Sequence, residues 1–313
     1  RMTTASGSGH PSTSLALAHI VVELMYRRMK YDPADPWNPS NDRLVLSIGH
    51  GVPIVYAAYA DLRGAVGPAQ ANPRLLSVSD LASLRELGSV LDGHPNPAEG
   101  FPFFDAATGS LGQGLSVAAG LALAARLDSN PKRIFSIVGD GETREGQVWE
   151  AADFIADHKL KNVCVIVSCN GHGQAAAVSA QQSVDALGRK FDAFGWSVVQ
   201  VDGHDPAEIA GALDRLDATA KPLVILARTV KGWGVDLMLR ENYHGRTLPA
   251  SLLDAACAEL DATGAKLAAQ AKSWSAPPKP RVAADRPSVS SERIALPSFA
   301  DACRKFGHSG ALD

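Results

Sequence analysis

Short apolar runs alternate with longer stretches of helical period along this chain. Residues 43–47, 134–138, 163–168, 196–201 and 223–229 are brief, rich in branched or aromatic side chains and closed by polar or glycine-containing segments, the pattern of buried strands. Between them lie candidate helices. Residues 14–30 carry Leu17, Ile20, Val21 and Leu24 on one face. Further helices are predicted over 53–62, 78–87, 147–158, 184–194, 206–218 and 252–272, with another running from the glycine-rich turn at 109–114 to about residue 127. Alternation of this kind predicts an α/β fold: an open, mostly parallel sheet with helices on both faces. Residues 1–9 read as a small flexible lead. Residues 31–42, 64–73, 89–108 and 231–247 read as loops.

The centre of the pattern is residues 134–173. Strand, helix and strand there form a right-handed parallel crossover, so the two strands end at the same edge of the sheet. In open parallel sheets that carboxyl edge is where ligands sit. The first strand ends in Gly139-Asp140-Gly141, and the second, after 28 further residues, ends in Asn170-Gly171-His172-Gly173. The two glycines beside Asp140 are expected to permit unusual backbone angles and close approach. Asp140 and Asn170 are hard oxygen donors, and the loop beyond Asn170 can add a carbonyl. Two or three protein oxygens suit Mg2+ or Ca2+ completed by phosphate and water. The plainer alternative is a strand-end turn with a capping aspartate.

Composition narrows the classes. With 46% hydrophobic residues the chain can bury a real core, and a net charge of −3 with a pI of about 6.3 gives no basis for nucleic-acid or anionic-membrane binding. Cys164, Cys169, Cys257 and Cys303 have neither metal nor disulfide spacing and read as reduced thiols. No signal peptide or membrane-length apolar run is present, so the expected setting is cytoplasmic. Residues 1–275 read as one domain. Residues 276–297, rich in Pro, Ser and Ala, read as a linker, and 298–313 as the truncated start of another unit.

Several polar residues sit where chemistry is plausible. His10, His50 and His94 each follow a glycine in a loop, and His244 precedes one. Imidazole exchanges protons near neutral pH, although an isolated loop histidine is usually just solvated. The Gly109–Gly114 turn can face backbone N–H groups toward an anion, or serve as a tight turn against the sheet. Lys231 follows the last strand and either meets a phosphate or points into solvent. Glu145 begins a helix, where a carboxylate suits the helix dipole. His19, His158 and His204 read as surface or packing residues, and no base is expected beside Cys169.

Six blocks occur in order over residues 7–249. They are Ser8-Gly9-His10-Pro11, Ser47-Ile48-Gly49-His50, Leu91-Asp92-Gly93-His94-Pro95, Thr108-Gly109-Ser110-Leu111-Gly112-Gln113-Gly114, Gly139-Asp140-Gly141-Glu142 with Glu145-Gly146, and Lys231-Gly232 with Tyr243-His244-Gly245. Together they resemble the thiamine-diphosphate-binding N-terminal domain of transketolases. The usual Asn-Asn ending of the diphosphate motif is here Cys169-Asn170. The resemblance implies that Asp140, Asn170 and the His172 carbonyl hold Mg2+ or Ca2+. It implies that Thr13, His50, Gly109, Ser110, Leu111, Gly141, Asn170, Lys231 and His244 contact thiamine diphosphate. His10 and His244 would meet the donor sugar, His94 the two-carbon unit, and Glu145 the subunit contact behind the cofactor.

The implied reaction moves a two-carbon ketol unit from a ketose phosphate to an aldose phosphate. Cleaving a C–C bond beside a ketone leaves a carbanion, which needs an electron sink that only a cofactor supplies. The implied enzyme is a homodimer acting on sugar phosphates. In this family the glutamate that activates the aminopyrimidine belongs to a pyrimidine-binding domain of the partner subunit. The chain is therefore expected to be a fragment or one subunit of a split enzyme, inactive alone. Dihydroxyacetone synthase, 1-deoxyxylulose-5-phosphate synthase and a non-catalytic subunit are the competing readings.

Overall fold

A computed structural model describes residues 1–68, 73–174 and 176–270. The linker expected at 276–297 and the unit expected at 298–313 lie outside the described residues. The chain begins with a short helix, α1 (Met2–Ala5), in place of a flexible lead. The helix expected over 14–30 is broken. It runs as α2 (Pro11–Ala16), then α3 (Ala18–Val22), then a π-helical stretch at Glu23–Arg28 in which the Met29 N–H donates to the Leu24 carbonyl. Glu23, Leu24 and Met25 are all buried there, and three consecutive buried positions do not fit the single apolar stripe of a surface α-helix.

Strand β1 (Arg43–Leu46) leads through a tight turn at Gly49–Gly51 into α4 (Val52–Asp61). The expected loop after α4 contains a two-stranded antiparallel ribbon, β2 (Ala65–Val66) with β3 (Arg74–Leu75). The helix expected at 78–87 is a 3-10 turn at Val78–Ser83, closed by a capping box between Ser77 and Asp80. Then follow α5 (Gln113–Leu127), β4 (Ile134–Gly139), α6 (Gly146–Asp157), β5 (Val163–Cys169), α7 (Val184–Ala193), β6 (Ser197–Asp202), α8 (Pro206–Asp214) and β7 (Leu223–Arg228). The loop expected at 231–247 holds a short helix, α9 (Asp236–Arg240), before α10 (Ala250–Gln270).

The five longer strands form one sheet in the order β1-β4-β5-β7-β6, every pair parallel. Leu44, Phe135, Ile137, Ile166 and Ile225 face one core with α3, α4 and α8. Val45, Ile134, Val138, Val165 and Leu226 face the other with α5, α6 and α7. Burial on both faces explains why the inner strands are almost continuously apolar. Apart from exposed Arg228 at the end of β7, only edge strand β6 of this sheet keeps intermediate and exposed positions. Because all five strands run the same way, the turns after β1, β4, β5 and β7 gather at one edge.

Candidate active site

A cleft of about 530 Å³ opens at that edge. Its floor is the pair of turns after β4 and β5. The Asp140 side chain, 2% exposed, accepts from the Gly141 N–H at 2.7 Å through Oδ1 and from the Gly171 N–H at 2.6 Å through Oδ2. One carboxylate thus binds both turns together. Burial pushes its pKa above the usual carboxylate range, against the pull of those two N–H donors. Beside it, Asn170 Oδ1 accepts from the His172 N–H at 2.9 Å, and His172 Nδ1 donates to the Asn170 carbonyl at 2.8 Å, which fixes that ring's tautomer. A β-carbon on Gly141 would lie 3.8 Å from the His172 carbonyl oxygen. Asp140, Asn170 and the residue-172 carbonyl therefore share one corner of the cleft. Among the described residues no group of three His, Cys, Asp or Glu side chains is arranged to hold a metal. The available donors are mixed: one carboxylate, one amide and one carbonyl.

The glycines around Asp140 permit close approach as expected, but not through unusual backbone angles. Neither Gly139 nor Gly141 has a positive φ. Their role is space: a β-carbon on Gly139 would lie 3.1 Å from Ile48 Cδ1, and Gly141 borders the cleft. Gly109 is the one that needs its conformation. Its φ is +135°, and a β-carbon there would lie 2.6 Å from Cδ2 of His94. Gly49, just before His50, packs so closely that its β-carbon would meet Gly109 Cα at 2.8 Å. Backbone contact between these two glycines brings the His50 and His94 segments together.

The opposite wall is a cluster of rings. His10 lies 4.6 Å from His50 and 5.1 Å from His244, and His50 lies 5.3 Å from His244, between ring centroids. Lys231 Nζ donates to His244 Nδ1 at 2.6 Å. Burial is the main cause of every shift in this group. It lowers His10 to about 4, puts His50 lower still, and depresses His94 and His244, with the neighbouring positive groups acting in the same direction. Burial also lowers Lys231 to about 8, partly offset by Asp140. The wall is therefore one partly buried lysine among neutral imidazoles. Thr13, 1% exposed, also lines the cleft, and its Oγ1 has no hydrogen-bond partner among the described residues.

Not every expected residue reaches the cleft. Gly109 and Leu111 line it, but Ser110 does not and is exposed. The glycine-rich turn is also not the first turn of α5. That helix starts at Gln113 behind Gly112, whose φ is +82°. The Gly112 N–H is already taken by Glu142. Glu145 is exposed on the rim at the N-cap of α6, with no capping bond from its side chain. Cys169 is buried, and burial pushes its thiol pKa up, away from nucleophilic character.

Glu142 was not expected to matter. It is 3% exposed, and Oε1 accepts from Ser47 Oγ at 2.5 Å and Gly112 N–H at 2.8 Å, while Oε2 accepts from Gly139 N–H at 2.9 Å. The turns after β1 and β4 and the turn before α5 meet on it. Its only local signal was a carboxylate closing the Gly-Asp-Gly run, which says nothing of the other two segments.

Residues 2–266 match the family described as transketolase, thiamine diphosphate binding domain. The chain belongs to this family. It is 40% identical over 260 residues to the Pongo abelii transketolase, covering 82% of this chain and 39% of that protein. It is 37% identical over 256 residues to the 6-deoxy-6-sulfo-D-fructose transketolase subunit SqwG of Clostridium sp. (strain MSTE9), covering 81% of this chain and 89% of that protein. The Campylobacter jejuni transketolase crystal structure superposes with a TM-score of 0.69 at 28% identity, over 83% of this chain and 40% of that one. A Pichia stipitis transketolase in complex with sedoheptulose-7-phosphate superposes at 0.66 and 25% identity, over 86% and 43%. The chain thus spans about two fifths of the Pongo abelii and Campylobacter jejuni transketolases and most of the Clostridium subunit. This transketolase-type domain has no described helix long and apolar enough to cross a membrane.

Proposed function

We propose that this chain is the diphosphate- and metal-holding part of a transketolase, which moves a two-carbon ketol unit between sugar phosphates. The observation that carries the reading is Asp140, a buried carboxylate clamping two neighbouring sheet-edge turns opposite a lysine and three imidazoles. A divalent cation with a diphosphate fits that donor set. Asp140, Asn170 and the His172 carbonyl would hold Mg2+ or Ca2+, which would also relieve the burial cost that now raises the Asp140 pKa. The unpartnered Thr13 Oγ1 gains a partner when an acceptor or donor fills the cleft.

When bound, thiamine diphosphate would supply the electron sink for C–C cleavage. This chain's residues would do the rest of the work on their side of the cleft. Lys231, His50 and the Gly109–Leu111 segment would bind and orient the diphosphate. His10 and His244, neutral at pH 7, would take or give hydrogen bonds to the donor hydroxyls, and His94 would stand beside the two-carbon unit. A neutral imidazole can accept a hydroxyl proton, which a protonated one cannot. Glu145, on the exposed rim, would meet the second subunit of a dimer. The complementary pyrimidine-binding half, on this or another polypeptide, would complete the site, and sugar phosphates would be the substrates. The Pichia stipitis transketolase complex with a sugar phosphate supports that substrate class.

The test is calorimetry with Mg2+ and thiamine diphosphate. Asp140→Ala is expected to abolish metal-dependent binding. Binding equal to wild type would remove Asp140 from the metal site and the reading with it.

A further inference from the structure

His19 and His204 lie outside the cleft, on the far side of the turn that carries Lys231. His204 Nε2 accepts the Val230 N–H at 2.9 Å. That nitrogen is therefore unprotonated, and the neutral ring carries its proton on Nδ1. His204 Nδ1 lies 3.2 Å from His19 Nδ1, so His204 donates and His19 accepts. Trp233 closes the group: its ring stacks on His204 at 5.1 Å and 12° and meets His19 edge-on at 4.5 Å. The turn between Val230 and Trp233 is short, with the Trp233 N–H donating to the Val230 carbonyl. Its other anchor is Gly232, whose N–H donates to the Ser12 carbonyl at 2.8 Å, beside Thr13. Lys231 sits between the two anchors.

We propose that the His19–His204 pair is a proton-sensitive latch: with both rings neutral it holds the Val230–Trp233 turn so that Lys231 faces the cleft, and adding a proton to the pair releases it. The chemistry follows from the bonds. A proton on His204 Nε2 would face the Val230 N–H, donor against donor. A proton on His19 Nδ1 would face the His204 Nδ1–H in the same way. One added proton breaks one of the two bonds, wherever it lands. The inference rests on the reading of Lys231 as a diphosphate contact. His204 and His19 touch neither the cleft nor a ligand, and act only through the turn.

The environment favours the neutral pair. Burial lowers both pKa values, His204 to about 4, and the nearby Asp202 partly opposes this in each. Asp202 itself accepts the backbone N–H of His204 through Oδ1, and its own backbone N–H is held by Glu208. The linked free energy is therefore complete above the unfolded histidine value of about 6.5 and is lost as pH falls toward the folded values.

The test uses Mg2+-pyrophosphate titrated into the full chain by calorimetry, from pH 8 to pH 4, for wild type, Lys231→Ala, His204→Gln, His204→Ala and His19→Leu. The glutamine reaches as far as Nε2 and keeps an acceptor for Val230 but gains no proton in this range. At pH 8 His204→Gln and His19→Leu, which each lose the bond between the two side chains, are expected to bind about three- to tenfold more weakly than wild type, the size of one lost hydrogen bond, and His204→Ala, which loses both bonds, more weakly still. As pH falls from 6.5 toward 4, wild type is expected to lose affinity relative to His204→Gln. Pyrophosphate and the cleft histidines titrate equally in both proteins, so their ratio reads the latch alone. Coinciding pH profiles, with Lys231→Ala still weakening binding, would overturn the latch and leave the diphosphate reading standing. Binding indifferent to Lys231→Ala would overturn both.

Discussion

Glu142 accepts three hydrogen bonds from three separate segments, and among the described residues it has no ion-pair partner. Burial raises its pKa, and the Ser47, Gly139 and Gly112 donors pull it back. Those donors have no other use for their hydrogens in the dry space between β1, β4 and α5. Replacing Glu142 with alanine would strand an O–H and two N–H groups, each costing about 1–3 kcal/mol, offset by release of a buried charge. The expected loss is roughly 3 kcal/mol, read by chemical denaturation. A loss below about 0.5 kcal/mol would mean that water or relaxed backbone satisfies the donors instead. Asp140 resembles Glu142 in burial but differs in outlook. Its two bonds leave it facing the cleft, where a cation can reach it.

At the scale of elements, helix α5 lies against the end of β1 through Gly114. A β-carbon there would lie 2.5 Å from Cβ of Ser47 and 2.6 Å from its Cα. The Gly114 N–H also donates to Ser47 Oγ at 3.1 Å. Gly114→Ala would push helix and strand apart and is expected to cost about 3 kcal/mol, the range for overpacking against backbone. The displaced turn would also carry Gly109 away from His94. A thermal melt and a cofactor titration on this variant should therefore change together. A stable variant with intact cofactor binding would show that the helix can slide without disturbing the turn. The breaks in the first helix belong to this scale too. The period of Leu17, Ile20, Val21 and Leu24 was visible, but the interruption at Leu17 and the π-turn were not, because both answer to tertiary packing: Leu17, Glu23 and Met25 are buried, and the π-helical stretch lies against α8.

Among the described residues of the whole molecule, six histidines hold pKa values lowered by burial: His10, His19, His50, His94, His204 and His244. Each binds a proton more readily in the unfolded chain, so folding stability is expected to be full above about pH 6.5 and to fall as pH drops toward the folded values. Urea melts at pH 7.5 and 5.5 would measure this. Equal stability at the two values would mean the rings are already solvated. Mg2+-pyrophosphate should narrow the difference, since an anion in the cleft favours protonated neighbours.

The fold class was legible because parallel strands buried on both faces must be apolar and short, and the strand boundaries fell within a residue or two of their observed ends. The blocks around His10, His50, His94, Gly109, Asp140 and Lys231 were legible as a family pattern, and they do gather on one cleft, apart from exposed Ser110. Sequence alone determined which residue types stand at the ends of strands, since that is a matter of period and punctuation along the chain. Only the tertiary structure decided that Glu142 knots three turns, that Lys231 pairs with His244, and that His19 meets His204 across 185 residues. Those contacts join residues 13 to 185 positions apart in the chain, and no local propensity carries information about which distant donor a buried acceptor will find.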